Sequence, residues 1–161
     1  MMENVSDHER LVMGEITIAD YVGLNKERQY EIAMKGYHLM ETGRLDEAET
    51  IYRGLVAADP FDSVFHSQLG AICFRKQDFG GAFQEFDDSI RLNKCNVDAL
   101  AARGELFLMR QDYEAGIEDL KNAVENDPEG KKQSSIRARA ILLSLRDAVE
   151  TRRRELAADG H

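Results

Sequence analysis

One self-similarity constrains this chain more than any motif in it: a set of positions recurs every 34 residues, three times over. Gly36, Gly70 and Gly104 mark the period. Twelve residues after each stands a small residue (Ala48, Ala82, Gly116), and four further on a bulky one (Tyr52, Phe86, Leu120). Three residues before each small one lies a large apolar residue: Leu45, Phe79, Tyr113. Pro60 and Pro128 lie two periods apart, each after an aspartate (Asp59, Asp127), and the middle copy carries Asn93 and Lys94 there. A unit of this length is one supersecondary element that cannot bury its apolar face alone, so the copies must stack.

Each copy reads as two antiparallel helices. In the first, a helix is expected over Glu27–Glu41, a turn at Thr42–Gly43–Arg44, and a second helix over Leu45–Ala57. Asp59–Pro60 ends it, because proline cannot continue a helix and drives the preceding residue toward extended conformations. Asp62 or Ser63 can cap the next helix. The recurring glycines let paired helices approach, with Ala48 or Ala82 as the matching small surface, while Tyr52, Phe86 and Leu120 are expected to fill space between successive copies. In period and pattern this resembles the tetratricopeptide repeat. The expected fold is all-α: a right-handed superhelical solenoid of three such repeats (27–60, 61–94, 95–128). An N-terminal tail and arm (1–26) precede it, and a C-terminal capping helix and basic tail (131–161) follow. Ile136, Ala140 and Leu143 are the expected cover for Leu120 and Val124. The arginines of that stretch (Arg137, Arg139, Arg146, Arg152, Arg153, Arg154) are expected on a solvated face.

Hydrophobic residues make up 43% of the 161 and charged residues 32%, which suits a water-soluble helical protein with a core. The formal net charge is -9, distributed unevenly: residues 1–130 carry 26 acids against 13 bases, and 131–161 carry 4 against 8. An acidic body repels phosphate, so nucleic-acid binding through the repeats is not expected. No stretch has the length and apolarity of a signal peptide or a membrane span, which predicts a cytosolic protein without direct membrane insertion. Cys73 and Cys95 fall at different heights along their helices and are expected to be free thiols.

Catalytic spacing is missing. His8, His38, His66 and His161 do not fall at ligand intervals, and the chain has no HExxH, CxxC, P-loop or GxGxxG. Neither enzyme activity nor a cofactor or metal is expected, and His66 falls in a repeat-core position. What the pattern leaves over is a surface. The face of each first helix turned away from its partner carries Tyr30, Ala33, Met34, Tyr37 and Glu41 in the first copy. It carries Val64, Ser67, Gln68, Ala71 and Arg75 in the second, and Asp98, Ala101, Ala102, Glu105 and Met109 in the third. Aromatic and methionine side chains over a floor of small ones describe a concave groove for an extended peptide with apolar anchors. Cover by the N-terminal segment or the C-terminal helix is the alternative. Only Arg75 and Gln68 resemble the Lys and Asn clamps with which some tetratricopeptide domains hold acidic C-termini, so charge is not the expected basis of recognition. Residues 1–10 are expected to be unstructured. Leu11, Val12, Ile16, Ile18, Tyr21, Val22 and Leu24 carry too much apolar surface for water and must pack on the repeats or on a second subunit.

The stretch from about 16 to 150 resembles the class II chaperones of type III secretion systems. The resemblance rests on Thr17-Ile18-Ala19, Tyr30-x-x-Ala33-x-x-x-Tyr37, Gly43-x-x-x-x-Ala48, Asp59-x-x-Asp62-Ser63-x-Phe65 and Leu69-Gly70-Ala71-x-Cys73. It implies a cytosolic chaperone that holds an extended Pro- and Leu-containing segment of a hydrophobic translocator in the groove and forms a homodimer through the N-terminal arm. A tetratricopeptide adaptor in another bacterial complex is the alternative.

Overall fold

The computed structural model describes residues 6–159, and all the regular structure among them is helical. Contacts divide the chain after Leu92 into two compact units. The first holds α1 (Asp7–Val12), α2 (Ile18–Tyr21), α3 (Lys26–Glu41), α4 (Leu45–Ala58), α5 (Ser63–Arg75) and α6 (Phe79–Leu92). The second holds α7 (Val97–Met109), α8 (Tyr113–Glu125) and α9 (Gln133–Asp159). The pairs α3/α4, α5/α6 and α7/α8 are the three copies of the repeat, and within the first unit α5 packs on both α3 and α4.

Local chemistry explains where the helices begin. The Asn25 side chain accepts from Arg28 N at 3.0 Å, Asp62 from Val64 N at 2.9 Å, and Asn96 from Ala99 N at 3.1 Å. Each satisfies a backbone donor that the first turn leaves unpaired. The turns between paired helices share one left-handed residue: Gly43 at φ 81°, with Gln77 and Gln111, one and two periods on, at φ 65°.

The recurring glycines are contact points. A Cβ at Gly70 would stand 2.7 Å from the Phe86 ring, and Gly36 and Gly104 meet Tyr52 and Leu120 in the same way. Tyr52, Phe86 and Leu120 therefore lie over the glycine of their own pair, where the pattern suggested the space between successive copies. The Tyr52 hydroxyl also donates to the Ala33 carbonyl at 2.9 Å, and burial pushes its pKa up to about 12.

Both flanks of the repeats depart from expectation. Residues 7–10, expected to be unstructured, belong to α1. Ser6 opens it with a reciprocal capping box to Glu9, and Thr17 does the same for α2 with Asp20. Residues 1–5 and His161 lie outside the described residues. In α9 the inward side is not the expected one. Ala138 and Ser135 are wholly buried, and Leu142 and Leu145 are half-buried. Ile136, Ala140 and Leu143 are exposed. The cover is turned by about one residue because the start of α9 is fixed by Asp127, which accepts from Lys131 N, Lys132 N and the Ser135 hydroxyl at 3.1, 2.8 and 2.5 Å. The arginine face is also incomplete: Arg139 is half-buried and donates to the carbonyls of Asp127 and Pro128 at 2.8 and 2.6 Å.

Candidate functional site

In the first unit the outward faces of α3 and α5 form one surface, fixed at both ends. At one end Lys26 reaches Asp59 and Asp62 at 2.6 and 2.9 Å, the Tyr30 hydroxyl donates to Asp62 at 3.1 Å, and the Tyr30 and Phe65 rings lie 5.3 Å apart. Burial works against the Lys26 ammonium, but its hydrogen bonds to the two nearly buried aspartates outweigh that and hold its pKa above the usual lysine value. Burial, and then the Asp62 charge, raise the pKa of Tyr30. At the other end Arg75 pairs with Glu41 at 3.3 Å.

Between these ties the surface is apolar and open. Tyr30, Met34, Tyr37 and Val64 are 41%, 65%, 44% and 38% exposed. Gln68 and Ala71 are half-buried beside them. Ala33 and Ser67, expected as contact residues, are buried, and the Ser67 hydroxyl is turned back onto the Val64 carbonyl at 3.0 Å. α3 and α5 pack on each other. The sequence pattern placed Ala33 and Ser67 on the outward face because it could not show how closely neighbouring first helices pack.

The third copy is different. Ala101 is wholly buried, and α9 lies against α7, so Ala101 is core rather than binding surface. Asp98 is held by Lys132 and the Ser134 hydroxyl, both at 2.5 Å, and Glu105 by Arg137 at 2.5 Å. Ala102 is half-buried, and Met109 is 56% exposed. Cover by the C-terminal helix, the alternative raised by the sequence, thus applies to α7.

Among the described residues, neither α1 nor α2 packs on the α3/α5 face. α2 packs on α4 through the wholly buried Ala19. Leu11, Ile16 and Leu24 are half-buried, whereas Val12, Ile18, Tyr21 and Val22 are exposed. Leu11, Ile16 and Ile18 face Ala57, Pro60 and Phe61 across a cleft of about 400 Å³. Phe61, 65% exposed, belongs to this patch and was missed; its position just after Pro60 marked it only as turn.

Two residues outside the face owe their burial to charge. His66 Nδ1 lies 2.8 Å from Glu85 and Nε2 3.0 Å from the Pro60 carbonyl. Both partners are acceptors, so the geometry suits the doubly protonated ring. Glu85 raises its pKa, burial opposes, and the Pro60 carbonyl adds to the rise. Arg103 pairs with Asp119 at 2.7 and 2.8 Å between α7 and α8. Among the described residues no group of His, Cys, Asp and Glu is arranged to hold a metal ion, and no helix is long and apolar enough to cross a membrane. Cys73 is buried, Cys95 exposed, and both are free.

The family model for the tetratricopeptide repeat matches residues 33–95. The chain is 24% identical over 123 residues to human RNA polymerase II-associated protein 3, covering 76% of this chain but 18% of that protein. It is 32% identical over 88 residues to the tetratricopeptide repeat-containing protein trd-1 of Caenorhabditis elegans, covering 55% of this chain and 11% of that one. The chain therefore spans less than a fifth of the length of these relatives. Among solved structures it is similar to the type III secretion translocator chaperone SycD of Yersinia enterocolitica. That match has a TM-score of 0.71 and 19% identity, over 80% of this chain and 98% of that one. It is also similar to PcrH in complex with the chaperone binding region of PopB, with a TM-score of 0.66 and 19% identity over 74% and 98% of the two chains. The first tetratricopeptide domain of Spaghetti bound to the HSP90 peptide SRMEEVD gives a TM-score of 0.66 and 22% identity over 78% and 96%. At these identities the similarity is one of fold, and the fold is all-α, built of tetratricopeptide-type helix pairs.

Proposed function

We propose that this protein is a chaperone that holds an extended apolar segment of a partner, a type III secretion translocator, against the α3/α5 face, and that its role is binding rather than catalysis. The observation that carries this is the exposure of Tyr30, Met34, Tyr37 and Val64 on a surface fixed at both ends by ion pairs. Large apolar side chains left in water on one face of two packed helices are a surface in need of a ligand. The similarity to SycD and to PcrH with its PopB region supports the choice of ligand. A clamp for an acidic C-terminus fits less well, since Arg75 is already paired with Glu41.

Calorimetric titration of the full chain with two synthetic peptides tests the reading, one apolar with Pro and Leu anchors and the other SRMEEVD. The apolar peptide should bind tighter, and Met34→Glu or Tyr37→Glu should weaken it at least tenfold with helical circular dichroism unchanged. Tighter binding of the acidic peptide, or indifference to both substitutions, refutes it.

The exposed patch of Val12, Met13, Ile18, Tyr21, Val22 and Phe61 favours homodimerisation through the arm as part of the same proposal. Sedimentation of the full chain should show a dimer that removal of residues 1–24 converts to monomer. A monomeric full chain at tens of micromolar refutes that part alone.

A further inference from the structure

Helix α9 stands where the first helix of a fourth pair would lie, and among the described residues only α7 and α8 pack on it. Ala138 stands one 34-residue period beyond Gly104 and is wholly buried, and α9 packs on α7 and α8 as α5 packs on α3 and α4. Phe74, Leu108 and Leu142 occupy successive equivalent positions. Phe74 meets Phe79 at the start of α6, with ring centroids 5.7 Å apart, and Leu108 packs where a Cβ on Gly116 of α8 would stand 2.8 Å away. Among the described residues Leu142 has no such helix opposite it. At Gln77 and Gln111 the chain turns back through a left-handed residue, whereas at Leu145, one period later, α9 runs straight on. A groove of about 390 Å³ is left, floored by Ile117, Leu142, Leu145 and Val149 and rimmed by Lys121 and Arg153.

We infer that this groove docks an acidic amphipathic helix of a partner protein, seated where the second helix of a fourth pair would lie. The charge pattern selects that occupant. The three helices that fill this position in the repeats are acidic: three acids against one base in α4 and in α6, four against one in α8. The rim of the groove carries three bases, Lys121, Arg146 and Arg153, against one acid, Glu150. Arg146 is engaged by Asp147 and Glu150, but Lys121 and Arg153 have no ion-pair partner among the described residues. Val149, 53% exposed, and Leu156, 57% exposed, continue the apolar stripe along α9.

The probe is the acetylated synthetic peptide of residues 45–58, itself one of these acidic second helices, added to isotopically labelled full-length protein and followed by amide chemical shifts. Saturable shifts are expected at Ile117, Leu142, Leu145 and Val149. Affinity should fall at least tenfold in Val149→Glu and in Arg153→Glu, both exposed positions that leave the fold intact. A peptide with lysine in place of Asp46, Glu47 and Glu49 should not bind. Shifts confined to the α3/α5 face, no saturation at millimolar peptide, or binding indifferent to both variants overturns the inference. So does a dimer of the free protein that Val149→Glu abolishes, because a second copy would then fill the groove. The α3/α5 reading is tested separately through Met34 and Tyr37, so either proposal can fail alone.

Discussion

His66 shows how one side chain can make the stability of its unit depend on pH. Its two ring nitrogens face the Glu85 carboxylate and the Pro60 carbonyl, and the carboxylate raises its pKa in the folded state. The unfolded value is near 6.5. The contribution of the imidazolium is therefore fully present below about pH 6.5 and is lost as pH rises through the higher folded value. Urea midpoints should fall between pH 6 and pH 8.5 in the native sequence and stay flatter in His66→Gln; parallel profiles would remove the charge from the account. Gln77 and Gln111 offer a second test, since both hold the left-handed conformation that Gly43 holds in the first copy. A side chain there costs about 1 kcal/mol, partly offset by the greater entropy glycine has in the unfolded chain. Gln77→Gly and Gln111→Gly should each raise stability by up to ~1 kcal/mol in urea denaturation, and a loss would show that the glutamine side chains contribute more than their strain costs.

Among the elements, α9 is where apolar periodicity and observed burial disagree most. Ile136, Ala140 and Leu143 have the spacing of a buried stripe but face outward, while Ser135 and Ala138 are buried. Small residues win the inner side because α9 lies close to both α7 and α8. Ala138→Asp should cost at least about 2 kcal/mol, the penalty for burying an unpaired charge. Ile136→Ser, at a position 44% exposed, should stay within about 1 kcal/mol. Equal losses in urea denaturation would return α9 to the register read from the sequence.

At the scale of a whole unit, one element decides whether a core is closed. In the second unit α9 closes the core over Ala101 and Leu120, both wholly buried. Exposing a leucine-sized side chain costs roughly 1.5–3 kcal/mol, against a total stability of about 5–15 kcal/mol for a domain. Truncation after Gly130 should therefore lower the thermal midpoint sharply and promote aggregation. Replacing Arg152, Arg153 and Arg154 with glutamine should leave the midpoint nearly unchanged, because all three are exposed and surface ion pairs contribute little. A truncated chain that melts at the native temperature would show that the second unit closes without α9.

The helix pairs, their caps at Asp62 and their ends at Asp59–Pro60 were legible without coordinates, because period, proline and capping chemistry act over a few residues. The exposure of Tyr30, Met34, Tyr37 and Val64 was legible for the same reason: a face opposite the partner helix follows from 3.6-residue geometry. Burial of Ala33, Ser67 and Ala101 was not legible, since it depends on how closely one first helix lies to the next. The register of α9 depended on Asp127 fixing its start, and the turn of its inner face by about one residue followed from those three hydrogen bonds. Local interactions along the chain chose the elements, whereas side chains far apart in sequence chose which faces water still reaches.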